Sequence, residues 1–343
     1  MYVVTGGAGF IGSNLVEGLN RRGEDDILVV DEFSDASQVR NLAGCRIADY
    51  QDKEDFLTNV ERSGLPSGTS AVFHMGACSN TMIEDSRYVL KTNFDYSKKL
   101  LLACADGNVP LIYASSAAVY GGGTSFIETE HHEYPLNVYA FSKQLFDSYV
   151  RKRVAKIHSQ VVALRYFNVY GPREAHKGSM ASIVYQMFKQ YSEHGRLKLF
   201  SGTEGFGDGE QRRDFISVED IVSVNFFFLE NPELSGIFNV GTGCSRSFND
   251  VALAVINSIR TSLGQSPVTL KDSVADGLIG YFDMPDTLKP RYQSFTEADI
   301  TRLRNAGFSS RFCSLEEGVT AYHSWLKGEQ PFEISFGRFS VRR

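Results

Sequence analysis

The chain has 343 residues, of which 42% are hydrophobic and 22% are charged, and its formal net charge is −6. This length holds one large or two modest domains, and the composition is that of a globular protein with a sizeable core. The negative charge argues against a general nucleic-acid binder. No apolar run reaches the roughly 18 to 20 residues of a membrane span, so we expect no membrane association.

The five cysteines form no C-x-x-C pair and are odd in number. Such cysteines indicate reduced thiols and therefore predict a cytoplasmic protein. Because the first predicted strand begins at residue 2, we expect no leader peptide.

Three glycines, Gly6, Gly9 and Gly12, lie between a predicted strand at residues 2–4 and a predicted helix at residues 10–22. Glycine permits a tight turn and a close approach to a pyrophosphate, and the open N–H groups of a helix start face the phosphates. The next predicted strand ends in Asp31. This residue lies about 20 residues after the glycine turn, where a ribose-binding carboxylate is expected. These features predict a dinucleotide site, and the alternative is a turn that merely needs glycine.

Strands and helices alternate through the first half of the chain. Strands are predicted at residues 27–30, 46–49, 71–75, 109–116 and 161–165, and helices at residues 51–62, 86–106 and 136–154, with a polar loop at residues 32–40. This alternation predicts an α/β fold with a Rossmann-type, doubly wound parallel sheet covered on both faces. Ligands of such sheets lie beyond the carboxyl ends of the strands. Asp31, Gly76, Ser116 and Asn168 all fall at or just past such ends.

The alternation of strands and helices becomes less regular after Gly171 and Pro172. This change predicts a smaller, mixed α/β C-terminal region that closes over the cofactor. Its predicted elements are a glycine-rich loop at residues 202–209, strands at 214–218 and 236–240, and helices at 248–262 and 296–306. We expect a dinucleotide-binding domain at residues 1–170, to which residues 214–243 are candidates to return. A substrate-binding region at 171–328 and a flexible tail at 329–343 follow.

Tyr139 and Lys143 form a Y-x-x-x-K pair on a predicted helix. Because positions i and i+4 share a helix face, the phenol and the ammonium point into the same cleft. A tyrosine with a pKa of about 10 is a poor base at neutral pH. A nearby lysine cation and a positively charged nicotinamide both favour its phenolate. Ser116 ends a strand at the same sheet edge, where its hydroxyl can bind the oxygen that is oxidised.

These motifs resemble the extended short-chain dehydrogenase/reductase family, which binds NAD or NADP and acts on nucleotide sugars. The matching segments are residues 5–12, 115–121, 139–143, 165–172 and 213–220. Within the family, the chain is most similar to the epimerases that invert C6 of ADP-heptose for the inner core of lipopolysaccharide. That similarity runs to about residue 326 and is carried by residues 47–50, 76–79, 135–139, 176–182 and 291–296.

The resemblance implies a set of roles. Tyr139 and Lys177 would be the two acid/base groups, Ser116 would assist, and Lys143 would bind the cofactor. It further implies that NADP, or NAD, is held by Gly6, Gly9, Phe10, Ile11, Gly12, Asp31, Glu32, Gln38, Lys53, Met75, Gly76, Ala77, Cys78, Ser79, Asn93, Lys143, Val169 and Lys177. The implied contacts of ADP-heptose are Ser116, Asn168, Ser179, Gln186, Phe200, Ser201, Gly202, Thr203, Arg213 and Tyr292. It also implies a homo-oligomer, and no metal is expected.

The sequence departs from the family pattern at three places. Met75 replaces an acid or glutamine beside Gly76, so contacts near the nicotinamide ribose are expected to differ. Gln186 replaces a histidine that faces the substrate. Glu32, Ser34 and Gln38 replace polar and lysine positions that would meet an NADP 2′-phosphate. Because Asp31 and Glu32 place negative charge there, we expect tolerance of both cofactors.

Several side chains have a simpler interpretation as well. Arg213 suits a diphosphate because its guanidinium donates in a fork, and its alternative is a surface ion pair with Asp214 or Glu219. The alternative for Lys177 is a solvated loop lysine. The segment 128–133, which holds His131, His132 and three glutamates, is interpreted as a solvated acidic turn rather than a metal site. The run at residues 226–229 is expected to be the buried side of a helix.

Two other functions remain open. One is a 4-epimerase or a 4,6-dehydratase of another nucleotide sugar, although Ala117 and Ala118 occupy the positions where the dehydratases place an acid/base pair. The other is a dinucleotide-binding sensor without catalysis, which the presence of Ser116, Tyr139 and Lys143 disfavours.

Overall fold

The computed structural model describes residues 1–33, 36–286 and 292–328. Ser34, Arg291 and the predicted tail at residues 329–343 lie outside the described residues. The strands are β1 Tyr2–Thr5, β2 Ile27–Asp31, β3 Asp49–Asp52, β4 Ala71–His74, β5 Leu111–Ser116, β6 Val161–Tyr166, β7 Asn168–Tyr170, β8 Leu197–Phe200, β9 Arg212–Arg213, β10 Phe215–Ser217, β11 Gly236–Val240, β12 Arg246–Ser247 and β13 Ile279–Phe282.

The α-helices are α1 Phe10–Arg21, α2 Ser37–Leu42, α3 Lys53–Ser63, α4 Ser86–Leu90, α5 Tyr96–Asp106, α6 Val138–Arg151, α7 Ile183–His194, α8 Val218–Glu230, α9 Phe248–Ser262, α10 Leu270–Ala275, α11 Thr301–Asn305 and α12 Leu315–Leu326. A π-helical segment, Lys91–Asp95, joins α4 to α5. Shorter 3₁₀ turns lie at Ala117–Tyr120, Glu130–His132, Val154–Lys156 and Ala175–Met180.

Seven strands form one parallel sheet in the order β11-β6-β5-β4-β1-β2-β3. This is the doubly wound order in which the chain reverses direction across the sheet at β1 and β4, and ligands bind in the crevice at that point. The predicted Rossmann fold is confirmed. Strand β11 extends this sheet, while the domain boundaries at residues 170 and 328 stay predictions.

Neighbouring residues of the central strands pack into different cores, because successive side chains of a strand point to opposite faces. Val3 and Val72 pack with α3, α5 and α6, whereas Val4 and Phe73 pack with α1 and α8. A third core lies under the C-terminal region between α7, α9 and α12. As predicted, the aromatic run at residues 226–229 lies on α8, with Phe226 and Phe228 buried.

Three predicted elements are wrong. The strand predicted at residues 46–49 is β3, which begins at Asp49 and runs as a polar edge strand because its backbone pairs with β2 from Leu28 onward. The second half of the predicted loop at residues 32–40 belongs to α2, whose Asn41 Nδ2 donates to the Ala8 carbonyl at 2.8 Å. Both errors concern segments that long-range contacts stabilise.

The helix predicted at residues 296–306 is confined to α11. The preceding residues are extended because their backbone bonds to another part of the chain. Thr296 N donates to the Arg212 carbonyl at 3.1 Å, and Ala298 N donates to Asp214 Oδ2 at 3.0 Å.

The predicted solvated turn at residues 128–133 is also wrong for two of its glutamates. Glu133 is buried against Arg165 and Arg151, and Glu128 Oε1 accepts from Asn239 N at 2.8 Å. The buried Arg165 guanidinium and the partly exposed Arg151 guanidinium share the Glu133 carboxylate that this turn supplies. In the described parts of the chain, no three His, Cys, Asp or Glu side chains form a group that could hold a metal ion.

Across the described ranges, no helix combines the length and the apolarity needed to cross a lipid bilayer. The five cysteines, Cys45, Cys78, Cys104, Cys244 and Cys313, are all free thiols.

Candidate active site

The glycine turn between β1 and α1 is packed too closely for side chains. A Cβ built on Gly12 would lie 2.1 Å from the Gly6 carbonyl oxygen, and one on Gly6 would lie 2.6 Å from Gly76 N. Gly6 also has φ of +66°, a left-handed conformation that favours glycine. Within the described residues, no side chain caps the start of α1 at Gly9. The first N–H groups of α1 are therefore free to bind a phosphate.

Acidic residues follow at the end of β2. Asp31 Oδ2 accepts from Ala8 N at 2.7 Å, and the Asp31 pKa is raised because the carboxyl is largely buried. Glu32 forms an ion pair with Lys53. Both line a cavity with Gln38 and Gly76, so the structure brings these predicted cofactor residues together.

Asn93 lies inside the π-helical segment and connects two parts of the site. Its Oδ1 accepts from Cys78 N at 2.8 Å and its Nδ2 donates to the Cys78 carbonyl at 3.0 Å. The same Nδ2 lies 2.9 Å from the Ser142 hydroxyl, and Ser142 Oγ donates to the Tyr139 carbonyl at 2.6 Å. The amide therefore fastens the loop after β4 to the helix that carries Tyr139 and Lys143.

Tyr139, Lys143 and Ser116 meet at the ends of β5 and α6. Burial raises the Tyr139 pKa, and the hydrogen bond to Ser116 opposes this rise. Lys143 Nζ donates to the Ala114 carbonyl at 2.8 Å and lies 6.0 Å from the centroid of the Tyr139 ring. Burial lowers the Lys143 pKa to about 8, while Asp147 opposes this change. The lowered pKa of Lys143 lies closer to neutral pH than usual, whereas the raised pKa of Tyr139 keeps its phenol protonated and able to donate.

One large cavity, of about 630 Å³, runs along the carboxyl ends of the strands. Its lining includes most of the predicted catalytic and cofactor residues: Gly6, Gly9, Phe10, Ile11, Gly12, Asp31, Gln38, Met75, Gly76, Ala77, Cys78, Ser79, Ser116, Tyr139, Lys143, Val169 and Lys177. Met75 Sδ accepts from the Tyr166 hydroxyl at 3.6 Å, a weak contact at the position that departs from the family pattern.

Lys177 belongs to this cavity and to a second one. The second cavity, of about 240 Å³, is lined by Asn168, Arg213 and Phe248 as well as by Lys177. The Lys177 side chain is half-buried, with Nζ 5.6 Å from the Phe10 ring centroid, and burial lowers its pKa. Lys177 is therefore not a freely solvated loop lysine.

Arg213 is 7% exposed and is not part of a surface ion pair. The Asp214 carboxylate accepts instead from Thr242 and Gly243, and Glu219 pairs with Arg21. Burial lowers the Arg213 pKa to about 10. Among the described residues no carboxylate lies in ion-pair contact with the guanidinium, which suits an anionic ligand.

Two aromatic side chains complete the surroundings of Arg213. Its Cζ lies 4.9 Å from the Tyr292 ring centroid, and the Tyr292 and Phe200 rings meet edge to face at 6.0 Å. The loop after Phe200 is held by its own bonds, since Gly202 N donates to Asp208 Oδ1 at 2.8 Å. Ser201 and Thr203 accept from Gln211 Nε2.

Neither of these two cavities is lined by seven of the predicted substrate residues: Ser179, Gln186, Phe200, Ser201, Gly202, Thr203 and Tyr292. Ser179 is exposed on the Ala175–Met180 turn. Gln186 Nε2 donates to the Gly178 carbonyl at 2.6 Å, so its amide contacts the turn that carries Lys177.

Several lining residues were absent from the sequence-based site. Tyr88, Thr92 and Tyr96 line the cavity beside Asp31. Their spacing of four residues along one helix face is a signal that could have revealed them. Phe215 and Phe248 line the cavity beside Arg213. Their positions in the sequence do not distinguish them from aromatic residues of the core.

Comparison with known proteins gives consistent matches. Residues 2–241 match the model of the NAD dependent epimerase/dehydratase family. The ADP-L-glycero-D-manno-heptose-6-epimerase of Thiobacillus denitrificans is 53% identical over 320 residues, which cover 93% of this chain and 96% of that protein.

Solved structures show the same similarity. The ADP-L-glycero-D-manno-heptose-6-epimerase of Helicobacter pylori aligns with a TM-score of 0.77 at 29% identity, covering 95% of this chain and 96% of that chain. A UDP-glucose 4-epimerase of Thermus thermophilus, solved in complex with NAD, aligns with a TM-score of 0.72 at 26% identity, covering 95% and 99%. The chain is thus similar to nucleotide-sugar epimerases over nearly its whole length.

Proposed function

The chain belongs to the NAD dependent epimerase/dehydratase family, and from this membership we propose that it interconverts ADP-D-glycero-D-manno-heptose and ADP-L-glycero-D-manno-heptose. The observation that carries the proposal is the position of Lys177, which lines both the cavity of Tyr139 and Ser116 and the cavity of Asn168 and Arg213. An acid/base group is thereby available on the substrate side of the site. The product is a precursor of the lipopolysaccharide inner core.

The residues fit a nicotinamide dinucleotide. The glycine turn has no side chains, so a pyrophosphate can approach its backbone closely. Asp31 ends β2, where a ribose is expected. The dinucleotide would be held by this turn, by the loop from Gly76 to Ser79 and by Lys143. The chemistry that it supplies when bound is reversible hydride acceptance at C6, without net oxidation.

We propose that Tyr139 and Lys177 exchange protons with the C6 oxygen in its two orientations. C6 of a heptose lies outside the pyranose ring, so the 6-ketone can rotate about the C5–C6 bond and expose its other face. The ketone oxygen then lies in a different place and needs a second proton donor. Tyr139, hydrogen-bonded to Ser116, serves one orientation, and Lys177 serves the other.

We further propose that Arg213 binds the diphosphate and that Tyr292, Phe200 and Asn168 hold the rest of the substrate. The burial of the Arg213 guanidinium without an ion-paired carboxylate among the described residues supports this role. Ser179 and Gln186 remain predicted contacts of the sugar. A homo-oligomeric state and a cytoplasmic location also stay predictions.

We propose NADP as the cofactor, with NAD tolerated. Lys53 can meet a 2′-phosphate, but Glu32 already pairs with it, so the phosphate competes with a carboxylate. Gln38 lines the same cavity and adds no positive charge. The preference for NADP should therefore be weaker than in relatives that carry a lysine at position 38.

The test is incubation of the purified protein with ADP-D-glycero-D-manno-heptose, with the C6 configuration followed by NMR. Conversion to a mixture of the two epimers is expected without added cofactor, and denaturation should release bound dinucleotide. Substrate deuterated at C6 should keep its label. No conversion of ADP-heptose, together with conversion of UDP-glucose as the control substrate, would contradict the proposal.

A further inference from the structure

Glu174 is a fully buried carboxylate that the proposed chemistry does not use. It follows Gly171 and Pro172 after β7, and it directly precedes the Ala175–Met180 turn that carries Lys177. A buried carboxylate is costly to keep unless hydrogen bonds satisfy its oxygens. Its partners therefore indicate what it stabilises.

The Glu174 carboxylate binds both ends of the segment that contains Lys177. Oε1 accepts from Gly171 N at 3.1 Å and from the Ser182 hydroxyl at 2.8 Å, while Oε2 accepts from Ser182 N. The Tyr322 hydroxyl of α12 is also hydrogen-bonded to this carboxylate. Lys177 N donates to the Glu174 carbonyl at 3.0 Å.

The enclosed segment has little packing of its own. Ala175, Gly178 and Ser179 are exposed, and Gly178 interrupts the turn with φ of 55° and ψ of −120°. Two hydrogen bonds reach the segment between its ends, since Gln186 Nε2 donates to the Gly178 carbonyl at 2.6 Å and Asn41 Nδ2 lies 3.0 Å from His176 Nδ1. The Glu174 carboxylate fixes the two ends. A proton donor must be placed within about 0.5 Å of its working position, so the anchoring of the segment bears directly on Lys177.

We propose that Glu174 is a positioning residue for Lys177: it closes the segment between Gly171 and Ser182 and so directs the ammonium toward the C6 oxygen. This inference rests on the proposed function, in which Tyr139 and Lys177 each serve one epimer. The effect of Glu174 on the reaction passes through Lys177 alone. Tyr322 contributes from α12 by the same contact.

The test separates the two epimers. Glu174→Gln keeps the size of the side chain but replaces one accepting oxygen by an amide that faces N–H and O–H donors. Hydride transfer from each pure epimer is measured by stopped-flow absorbance of the reduced nicotinamide. We expect transfer from the epimer that depends on Lys177 to slow by about 10²-fold, as for a misplaced catalytic group, while the other epimer reacts as in the wild type.

A second variant covers the case in which Glu174→Gln does not fold. Tyr322→Phe removes one hydroxyl from the same carboxylate and should slow the same epimer to a smaller extent. Ser258→Ala is the matched control. It removes a buried hydroxyl of α9 that lies 3.0 Å from Nδ1 of His323, the neighbour of Tyr322 on α12, and it does not touch Glu174. It should slow neither epimer.

The two possible failures are distinguishable. If the wild type oxidises neither epimer, the proposed function is wrong, and this inference is wrong with it. If the wild type oxidises both and the variants of Glu174 and Tyr322 slow both equally, or neither, only the positioning role is wrong. Hydrogen exchange gives a readout besides activity: Glu174→Gln should raise exchange at the Gly171 and Ser182 amides, and unchanged exchange there would also overturn the inference.

Discussion

Thr5 Oγ1 lies 2.6 Å from His74 Nδ1, and this contact joins the ends of β1 and β4 at the point where the sheet reverses direction. Ser97 Oγ donates to the Asn93 carbonyl at 2.6 Å, so it accepts from His74 Nε2 at 2.8 Å. A neutral ring then accepts from Thr5 at Nδ1. The chain of bonds connects the strand before the glycine turn to the segment that contains Asn93.

The stability of the protein should therefore fall as the pH drops below 6.5, because the unfolded chain then protonates His74 while the folded chain does not. Burial lowers the His74 pKa from 6.5 to about 3. The unfolded chain binds the proton below pH 6.5 and the folded chain does not, so the contribution of His74 is complete above that pH and is lost toward pH 3. The slope reaches about 1.4 kcal/mol per pH unit.

Replacement of His74 tests this expectation. His74→Gln should cost about 1 to 3 kcal/mol at neutral pH, because it leaves buried partners unsatisfied, and should flatten the pH dependence. Chemical denaturation at about pH 7 and about pH 5 measures both. His131→Gln, at an exposed histidine, is the control and should retain the wild-type slope. An identical slope in His74→Gln would show that His74 is not responsible.

Gly12→Ala should abolish dinucleotide binding while leaving most of the fold intact. The added Cβ would lie 2.1 Å from the Gly6 carbonyl oxygen, so the turn must open where the pyrophosphate is expected. Gly122→Ala is the control, since its Cβ meets nothing within 4 Å. Titration calorimetry with NADP and NAD measures the effect. Normal affinity in Gly12→Ala would contradict the assignment of this turn.

Tyr139→Phe and Lys177→Met should each lower the epimerisation rate by about 10²–10⁴-fold, the usual contribution of a positioned acid/base group. Both variants should retain bound dinucleotide and the wild-type melting temperature. The measurement is the rate of C6 inversion by NMR. Full activity in Lys177→Met, or entry of solvent deuterium at C6, would exclude the two-base scheme.

Glu32→Gln should strengthen the binding of NADP more than that of NAD. The change removes the carboxylate that pairs with Lys53, so the ammonium becomes available to a 2′-phosphate. Dissociation constants of both cofactors for the wild type and the variant decide this. An equal gain for NAD would mean that Glu32 acts through general charge rather than at the 2′ position, and exclusive NADP binding by the wild type would contradict the proposed tolerance of both.

Asp147→Ala should destabilise the protein by about 3 to 5 kcal/mol, because it removes a buried partner of a buried cation. Asp147 accepts from Arg165 Nε at 2.9 Å, from the Tyr113 hydroxyl at 2.9 Å and from the Ser115 hydroxyl at 2.8 Å. Glu61→Ala breaks an exposed pair with Lys99 and should cost at most about 1 kcal/mol. Equal losses of unfolding free energy in the two variants would refute this argument.

The sequence by itself determined the features that depend on local spacing. The glycine turn, the alternation of buried strands with helices, and the i and i+4 placement of Tyr139 and Lys143 are each properties of short segments. Hydrophobic period and glycine position report the local backbone directly, so the parallel sheet and the dinucleotide cavity at its carboxyl edge could be predicted.

Only the tertiary structure decided the features that depend on distant partners. β3 is a strand because it pairs with β2, although its own residues are polar, and the extended backbone before α11 results from contacts with Arg212 and Asp214. Nothing in the sequence distinguishes Glu133 and Glu174 from glutamates on the surface, yet both are buried. Their burial is favourable because other groups satisfy the carboxylates: distant arginines pair with Glu133, and backbone amides on either side of a turn donate to Glu174. Sequence spacing does not encode such partners.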